Sequence, residues 1–403
     1  MLLYNGSTFW PTTVEPATFG QTLGVDTSCD VVVVGSGITG AMVAYELARA
    51  GVDVVVVDRR PIASGSTVAS TALLQYELDK PLLELAKDVG LEHAQRAYLA
   101  CRDALDDILE LVANLGVDCD LKVRQSLFLC RSERETADLR SESAARQHLG
   151  LQVDYLDNAQ LKSGFGIDRP GALLSGFAME VNPLKLTHAL LLAAQALGAR
   201  IYGNVEVQMP PASGSHAGHI IDAGAGRKIF CDQIVLATGY EAIDKYPFIK
   251  HSVRLKTTFA AVTRPILGAP WPGGALIWET GSPYFYARSV ADGRVMMGGM
   301  DTPFAGPAPR QAIIERNGEI LAEVLMRIFP QLHVTLDHAW SGAFVETADA
   351  MPYIGTLPNA PTTHFALGYG GNGITFSMIA AQIIRDRITG RPNSVAQLFS
   401  FER

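Results

Sequence analysis

The stretch VVVVGSGITGAMVAYELARAGVDVVVVD, residues 31–58, decides the fold of this chain. Its four opening valines, residues 31–34, predict one buried parallel strand that leads directly into a glycine-rich turn. An apolar helical stripe follows, and a second strand over residues 54–57 ends on Asp58. A strand, a Gly-x-Gly-x-x-Gly turn, a helix and a second strand with a terminal acid together predict a dinucleotide-binding site.

Each glycine of the turn has its own role in such a site. Gly35 allows the tight turn, Gly37 lets a pyrophosphate approach the backbone, and Gly40 allows the helix to pack closely on the strand. Asp58 follows Gly40 by 18 residues, where its carboxylate can accept hydrogen bonds from both hydroxyls of an adenosine ribose. A glycine turn in an ordinary α/β sheet is the alternative, and the agreement of four consecutive elements favours the dinucleotide.

The composition is typical of a well-packed globular protein. A length of 403 residues predicts two domains, and 48% hydrophobic with 18% charged residues exclude a disordered or fibrous chain. A net charge of −8 argues against a nucleic-acid partner. Five scattered cysteines without a Cys-x-x-Cys pair predict reduced thiols and a cytoplasmic protein, and the N-terminal sequence lacks a secretory pattern. No metal site and no transmembrane segment is predicted.

Further along the chain, the patterns predict a second sheet inserted between parts of the nucleotide-binding domain. Residues 81–116 predict two helices broken near Gly90, and residues 253–300 predict four antiparallel strands separated by turns. Residues 212–228 are rich in glycine, serine and alanine and predict a surface hairpin or loop. The predicted domain limits are residues 1–80, 179–250 and 335–403 for nucleotide binding, and residues 81–178 and 251–334 for the substrate domain.

A second glycine cluster, residues 368–373, also lies between a predicted strand and a predicted helix. No strand with a terminal acid follows it, so it cannot be a second mononucleotide unit. The amides of a helix N-terminus suit a localised negative charge, such as that at the N1–C2=O edge of a reduced flavin. A glycine-rich helix entry that serves only packing is the alternative. The segment QIVLATG, residues 233–239, adds a strand that after such a unit often returns the chain past a flavin.

Together these motifs resemble the flavin oxidoreductases of the D-amino-acid oxidase, glycine oxidase and sarcosine oxidase type. The resemblance covers nearly the whole chain and rests on VVVVGSGITG…VVVVD, GSTVAS, VNPLKLTHALLLAAQALGA, IVLATG and the closing WSGAFVETADAMPYIG…FALGYGGNGITFS. It implies an α/β fold of the glutathione-reductase-like type. In that fold a Rossmann-type FAD-binding domain accompanies a discontinuous second domain built on a mostly antiparallel sheet.

The resemblance also implies contacts with FAD along both glycine clusters. The first cluster and Asp58 would bind pyrophosphate and adenosine, the loop 65–70 would border phosphate and isoalloxazine, and residues 370–375 would meet the pyrimidine ring. FAD would be noncovalent, because this loop has no histidine and no cysteine follows Cys231. The implied cofactor contacts are Gly35, Ser36, Gly37, Ile38, Thr39, Gly40, Asp58, Arg59, Gly65, Ser66, Thr67, Ser70, Val205, Ala237, Thr238, Gly239, Gly342, Gly370, Gly371, Asn372, Gly373, Ile374 and Thr375.

Substrate contacts are expected on the second sheet. Alternation along the predicted strand 284–288 places both of its tyrosines and Arg288 on one face, although aromatic residues on a strand also serve core packing. Relatives that bind a substrate carboxylate have an arginine where this chain has Phe344. Glu346 could hold an ammonium group or accept its proton, or it could be a surface glutamate. The candidate catalytic residues are Glu346, Tyr286 and Arg288, and the candidate substrate contacts are Tyr284, Phe344 and Gln75.

The function predicted from the resemblance is oxidation of a C–N bond in an amine or amino acid, by hydride transfer to N5 of the flavin. The resulting imine would hydrolyse, and oxygen would be the acceptor, with hydrogen peroxide as product. A dehydrogenase of the same family that passes electrons to a protein or quinone is the alternative. A disulfide reductase is excluded, because the chain lacks a second dinucleotide unit and a redox cysteine pair. The particular substrate and the oligomeric state stay open.

Overall fold

Two β-sheets organise the part of the chain that the computed structural model describes, residues 3–208, 218–241, 246, 253–306 and 308–403. The strands are β1 Tyr4–Gly6, β2 Thr27–Val34, β3 Val54–Val57, β4 Leu73–Leu74, β5 Lys122–Leu129, β6 Val153–Asp157, β7 Gly171–Glu180, β8 Arg200–Tyr202, β9 His219–Asp222, β10 Lys228–Leu236, β11 Val253–Thr263, β12 Leu276–Glu279, β13 Phe285–Ser289, β14 Val295–Pro303, β15 Leu336–Thr347, β16 Tyr353–Leu357 and β17 Ala360–Leu367. The helices are α1 Ile38–Arg49, α2 Leu82–Val89, α3 Leu91–Leu115, α4 Thr136–His148, α5 Asn158–Phe165, α6 Pro183–Ala196, α7 Gln311–Ile328 and α8 Gly373–Ile388.

The seven-stranded sheet has the order β16-β17-β10-β2-β3-β8, with β9 on β10. Its strands β17, β10, β2, β3 and the edge strand β8 pair in parallel. Continuous valine runs form β3 and the end of β2 because both faces of these strands are buried. One face packs in the same apolar cluster as α1, and the other packs against residues of neighbouring strands and loops such as Tyr202 and Val205. Helix α1 packs against α6 and α8. The strand-turn-helix-strand predicted over residues 31–58 is therefore present as β2, α1 and β3.

The ten-stranded sheet has the order β1-β15-β11-β14-β13-β12-β5-β7-β4, with β6 on β7. All of its neighbouring strands pair antiparallel except β5 and β12, so the prediction of a mostly antiparallel second sheet is confirmed. Helix α7 packs on β11, β14 and β15, where Phe259, Ile314 and Leu325 are buried in one apolar cluster. This sheet carries β13, which corresponds to the aromatic strand predicted over residues 284–288.

The chain passes repeatedly between the two sheets, and the hydrogen bonds divide it differently from the predicted limits. Strand β15 pairs with β11 from Val253↔Thr347 to Thr263↔Leu336, so it belongs to the ten-stranded sheet, whereas the predicted limits place residues 335–403 with the nucleotide. Strands β1 and β4 also join the larger sheet. The loop predicted over 212–228 lies partly outside the described residues, and its described part includes β9.

Candidate functional site

The turn between β2 and α1 has a shape that only glycine permits. Gly35 has φ +112°, and a Cβ there would lie 2.4 Å from the Ala237 carbonyl oxygen. A Cβ at Gly40 would lie 1.8 Å from the Gly35 carbonyl oxygen, so helix and strand approach as closely as predicted. A Cβ at Gly37 would have the Thr67 hydroxyl oxygen as its nearest neighbour, at 3.1 Å. The backbone at Gly37 therefore opens towards the loop that follows β3.

Asp58 is fixed by the same turn. Its Oδ2 accepts hydrogen bonds from the Ser36 amide at 2.8 Å and the Ser36 hydroxyl at 2.7 Å. Its Oδ1 accepts from the Arg60 amide at 2.9 Å. A carboxylate has about four acceptor sites, so Asp58 keeps capacity for ribose hydroxyls. Ser36 is fully buried and contacts this carboxylate instead of lining a cavity.

A cavity of about 310 Å³, here called the nucleotide cavity, extends from Asp58 along the N-terminal end of α1. The Thr238 hydroxyl is buried beside it and has no hydrogen-bond partner among the described residues. The predicted cofactor residues in its wall are Gly35, Gly37, Ile38, Thr39, Asp58, Arg59, Gly65, Ser66, Thr67, Ser70, Val205, Ala237, Thr238, Gly239, Gly373 and Ile374. Sequence reasoning missed Leu3, Arg60, Glu206, Val207, Tyr240, Glu241, Leu367, Gly368 and Tyr369, which join the same wall from other elements.

Two tryptophans position the loop that borders this cavity. The Trp10 indole donates a hydrogen bond to the Ser70 carbonyl at 2.6 Å, and the Trp340 indole donates to the Ala69 carbonyl at 2.9 Å. Both indoles are buried. Each of these two carbonyls therefore accepts a hydrogen bond from a distant part of the chain, and the two indoles together fix the position of the loop 66–70.

A second cavity of about 180 Å³, here called the aromatic cavity, continues from the first. Five residues belong to both walls, and they are Ser66, Ser70, Tyr240, Gly373 and Ile374. The two cavities therefore form one cleft. The predicted residues that line only the second part are Gln75, Tyr284, Tyr286, Gly342, Phe344, Gly370, Gly371 and Asn372.

The N-terminal end of α8 forms one wall of the aromatic cavity. The Asn372 side chain donates a hydrogen bond to the Glu77 carbonyl at 2.5 Å, and the Thr375 hydroxyl donates to the Gln75 carbonyl at 3.2 Å. Thr375 is therefore buried at 1% exposure and lines neither cavity, although it was predicted as a cofactor contact. Its part is to hold α8 against residues 75–77.

Asp79 is the charged group at this helix end, and sequence reasoning missed it. Its Oδ2 accepts a hydrogen bond from the Gly371 amide at 2.9 Å. The side chain faces the cavity and is accessible to water, yet the surrounding protein raises the pKa of this carboxyl to about 6. The largest cause is desolvation of the carboxyl by the protein atoms around the cavity; the Glu346 and Asp301 carboxylates raise this pKa further, whereas the Gly371 amide and Lys256 lower it. The acid lies in a loop without a recognisable motif.

Tyr284 and Tyr286 lie side by side in the wall opposite. Their ring centroids are 5.8 Å apart, with an interplanar angle of 30°. Tyr286 folds over Gly298, where a Cβ would lie 2.2 Å from its phenol oxygen. Burial raises the pKa of both phenols, so both stay neutral near pH 7. They can therefore act as hydrogen-bond donors and as aromatic surfaces.

Two predicted catalytic residues lie outside both cavities. Glu346 accepts a hydrogen bond from the Lys256 ammonium at 2.6 Å, and both side chains are 31% exposed. Arg288 is 2% exposed, donates to the Val181 carbonyl at 3.0 Å and lies 5.1 Å from the centroid of the Trp10 ring. Alternation does place Arg288 on the same face as the two tyrosines, but further along β13, beneath Trp10. Neither side chain therefore lines the cleft.

The walls of the cleft also bear on covalent attachment and location. The five cysteines are unpaired, and within the described ranges no cysteine or histidine lines either cavity. None of the described helices is long and apolar enough to span a membrane.

The family comparison identifies this fold and cleft. A model of the family DAO, described as FAD dependent oxidoreductase, matches residues 30–387. The chain belongs to this family. FAD is therefore the cofactor of this flavoprotein, and the glycine turn, Asp58 and the Thr238 hydroxyl, which has no partner within the described residues, fit a dinucleotide.

Relatives in the family act on different compounds, as their names state. The chain is 26% identical over 378 residues to the gamma-glutamylputrescine oxidoreductase of Escherichia coli K12, covering 92% of this chain and 86% of that protein. It is 25% identical over 378 residues to the glycine oxidase of Bacillus licheniformis, covering 93% and 96%. Among solved structures, glycine oxidase from Geobacillus kaustophilus matches with TM-score 0.74 and 23% identity, covering 93% of this chain and 99% of that chain.

Proposed function

We propose that this flavoprotein oxidises the C–N bond of an amine, with FAD bound noncovalently along the cleft. The observation that carries the proposal is the continuity of the cleft, because the five shared wall residues lead from the nucleotide cavity directly into the aromatic cavity. A substrate in the aromatic cavity would thus contact the flavin end of the cofactor. The names of the two relatives, an oxidoreductase of a putrescine derivative and an oxidase of glycine, support an amine or amino-acid substrate.

The wall residues suggest how FAD would be held. Asp58 would accept hydrogen bonds from the ribose hydroxyls, and the α1 N-terminus at Gly37 would bind the pyrophosphate. The loop 66–70 would separate the phosphate and flavin ends. The α8 N-terminus at Gly373 would place its positive end beside the flavin pyrimidine ring. No cysteine or histidine lines the described walls for a covalent bond, which supports noncovalent binding.

Held by these residues, FAD would supply the acceptor for the hydride that leaves the carbon next to the substrate nitrogen. The nitrogen loses a proton in the same oxidation, and water hydrolyses the resulting imine to a carbonyl compound and ammonia or an amine. Oxygen would then take up two electrons and two protons to give hydrogen peroxide. The chain contributes mainly position, because the tyrosines Tyr284 and Tyr286 confine the substrate and stay neutral. A cytoplasmic location is part of this proposal and is supported by the five unpaired cysteines.

Anaerobic mixing of the purified protein with a panel of amines and amino acids tests this function. We expect at least one amine to bleach the visible absorbance of oxidised FAD, and admission of air to restore it with formation of hydrogen peroxide. If the visible absorbance returns slowly in air but rapidly after a quinone is added, the protein is a dehydrogenase that passes its electrons to another acceptor, and not an oxidase. Acid precipitation should release FAD into the supernatant, and colour retained in the pellet would contradict noncovalent binding.

Gly37→Val is the matched control for this experiment. A β-branched side chain would occupy the space where the backbone opens towards the Thr67 hydroxyl, so the variant should fold without retaining FAD. An unbleached flavin with every amine tested, in a protein that retains FAD, would contradict the proposed function.

A further inference from the structure

The charged side chains that line the aromatic cavity are all acidic in the described part of the chain. Glu77 and Asp79 belong to the wall, and no lysine, arginine or histidine does. Glu77 is buried at 3% exposure with its carboxylate near Arg146, so Asp79 is the carboxylate that faces the cavity. A substrate carboxylate placed here would meet this negative charge without a described cation in the wall to balance it.

Nearby charges reinforce this asymmetry. Asp301 and Glu346 both act on the Asp79 carboxyl electrostatically, and Lys256 is the cation that opposes them. The Lys256 ammonium is already paired with Glu346 at 2.6 Å. Among the described residues, three carboxylates and one lysine therefore act at this end of the cavity, which leaves an excess of negative charge there.

The rest of the wall is aromatic, and this second observation is independent of the acids. Tyr284 and Tyr286 stack at 5.8 Å between ring centroids, and Trp278 stacks on Phe128 at 3.9 Å. The faces of Trp and Tyr rings attract cations within about 6 Å of the centroid. The aromatic residues of this wall are Tyr240, Trp278, Tyr284, Tyr286 and Phe344.

We infer that the substrate, within the amine oxidation proposed above, is a dication whose second ammonium group is held by Asp79 and the aromatic wall. The reacting amine would enter in its neutral form, while the second ammonium keeps its charge. This inference rests on the proposed function, but it concerns recognition at the remote end of the substrate. It excludes simple α-amino acids as preferred substrates, because their carboxylate would lie in the acidic cavity.

A matched series of five-carbon amines isolates the remote charge. Pentylamine, 1,5-diaminopentane and 5-aminopentanoate share chain length and differ at the remote end as neutral, cationic and anionic. We expect the second-order rate constant of anaerobic flavin reduction to be roughly tenfold to a hundredfold higher for the diamine than for pentylamine. Pentylamine lacks the second ammonium and so loses one charge-assisted contact with Asp79, which accounts for a ratio of about this size. The aminopentanoate should react more slowly than pentylamine.

Asp79→Asn tests the residue without removing its hydrogen bond, because the Asn side-chain oxygen can still accept from the Gly371 amide. The variant should retain FAD and its visible spectrum, yet lose the preference for the diamine. Asp106→Asn is the matched control, since Asp106 pairs with Arg102 on α3 and lines neither cavity, and the preference should persist. Tyr284→Leu should reduce the preference by roughly twofold to thirtyfold through the lost ring face.

Binding of an unreactive cation separates this inference from the proposed oxidation. Pentyltrimethylammonium should perturb the visible flavin spectrum with a lower Kd than hexan-1-ol, and Asp79→Asn should remove the difference. If no amine reduces the flavin while this cation binds as described, the proposed function fails and the cation site stands. An unchanged diamine preference in Asp79→Asn, or a preference for 5-aminopentanoate, would overturn the inference.

Discussion

At the scale of single residues, one backbone amide sets the position of the charge in the aromatic cavity. The Gly371 amide donates to Asp79 Oδ2, and a Cβ on Gly371 would lie 2.5 Å from Asp79 Oδ1. Glycine at this position is therefore a condition for the carboxylate to reach the helix end. The positive end of α8 also favours the ionised form of the acid. The position of the Asp79 carboxylate therefore depends on glycine at residue 371.

The raised pKa of Asp79, about 6, predicts a pH-dependent substrate preference. The carboxylate is ionised above this pKa and attracts a cation, so the ratio of diamine to pentylamine rate constants should fall as the pH is lowered from 7 to 5. The second ammonium stays charged throughout, because its pKa lies near 10. The other described ionisable groups that interact electrostatically with Asp79 are Glu346, Asp301, Lys256, Tyr240, Tyr284 and Tyr286.

Stopped-flow flavin reduction at each pH measures this ratio, in which the ionisation of the reacting amine largely cancels. The Asp79→Asn variant provides the reference, and its ratio should be flat over the same range. A wild-type ratio that is equally flat would mean that another group supplies the charge.

The residues of the nucleotide cavity could be predicted from sequence because their spacing is local. Gly35, Gly37 and Asp58 belong to one continuous unit whose parts constrain each other. The residues of the aromatic cavity could not be predicted in this way, because they come from segments that are distant in sequence. The closing motif favours Glu346 as a catalytic residue, yet on β15 its side chain pairs with Lys256 of the adjacent strand. Only the three-dimensional arrangement brings Asp79 to Gly371, 292 residues away in sequence.

At the scale of elements, the short loop 66–70 depends on two distant segments of the chain. Trp340 lies on β15 of the larger sheet, and Trp10 lies in a short helical turn, Trp10–Thr12, near the N-terminus. Strand β1 brings the N-terminal segment to this place through its pairing with β15, and Leu3 reaches the nucleotide cavity. A strand of three residues carries little sequence signal, so this contribution could not be predicted from the chain alone.

Trp10→Phe should weaken FAD binding, because the Ser70 carbonyl loses its indole donor and the loop loses one of its two ties. The lost bond predicts a Kd for FAD roughly fivefold to thirtyfold higher, measured by titrating the apoprotein. Trp271→Phe is the matched control, since that indole is equally buried and donates to the Ala275 carbonyl at 2.8 Å, away from both cavities. If both variants lose the same FAD affinity, the effect comes from general destabilisation of the protein and not from the lost bond to Ser70.

At the scale of the whole molecule, a buried charge cluster joins the second domain to the floor of the aromatic cavity. Arg146 on α4 is fully buried, donates to Glu142 at 2.7 Å and lies 3.8 Å from a carboxylate oxygen of Glu77. Glu142 also accepts from the amides of Leu82 and Leu83 at the start of α2. The cluster therefore fixes α2, α4 and the segment that bears Glu77 relative to one another.

Arg146→Met should reduce the free energy of unfolding by ~3–5 kcal/mol, because two carboxylates would stay buried without their cation. Urea unfolding in the presence of excess FAD measures the change. Arg140→Met on the same helix is the matched control: its exposed guanidinium stacks 3.8 Å from the Tyr155 ring centroid, so the cost should stay below ~1 kcal/mol. If adding Glu77→Gln to Arg146→Met restores part of the free energy of unfolding, the loss in the single variant comes from the buried carboxylate that lacks its cation.

The positions of the tryptophans give the molecule an optical readout of its own cleft. The sequence contains four of them. Trp10 and Trp340 touch the loop at the flavin end, and Trp278 forms part of the aromatic wall, whereas Trp271 stacks on Phe329 in the remote core. Three of the four indoles thus lie where an isoalloxazine would accept their excitation energy. Intrinsic fluorescence should therefore be dim in the yellow protein and brighten on cofactor release, with Trp271 supplying the residual emission.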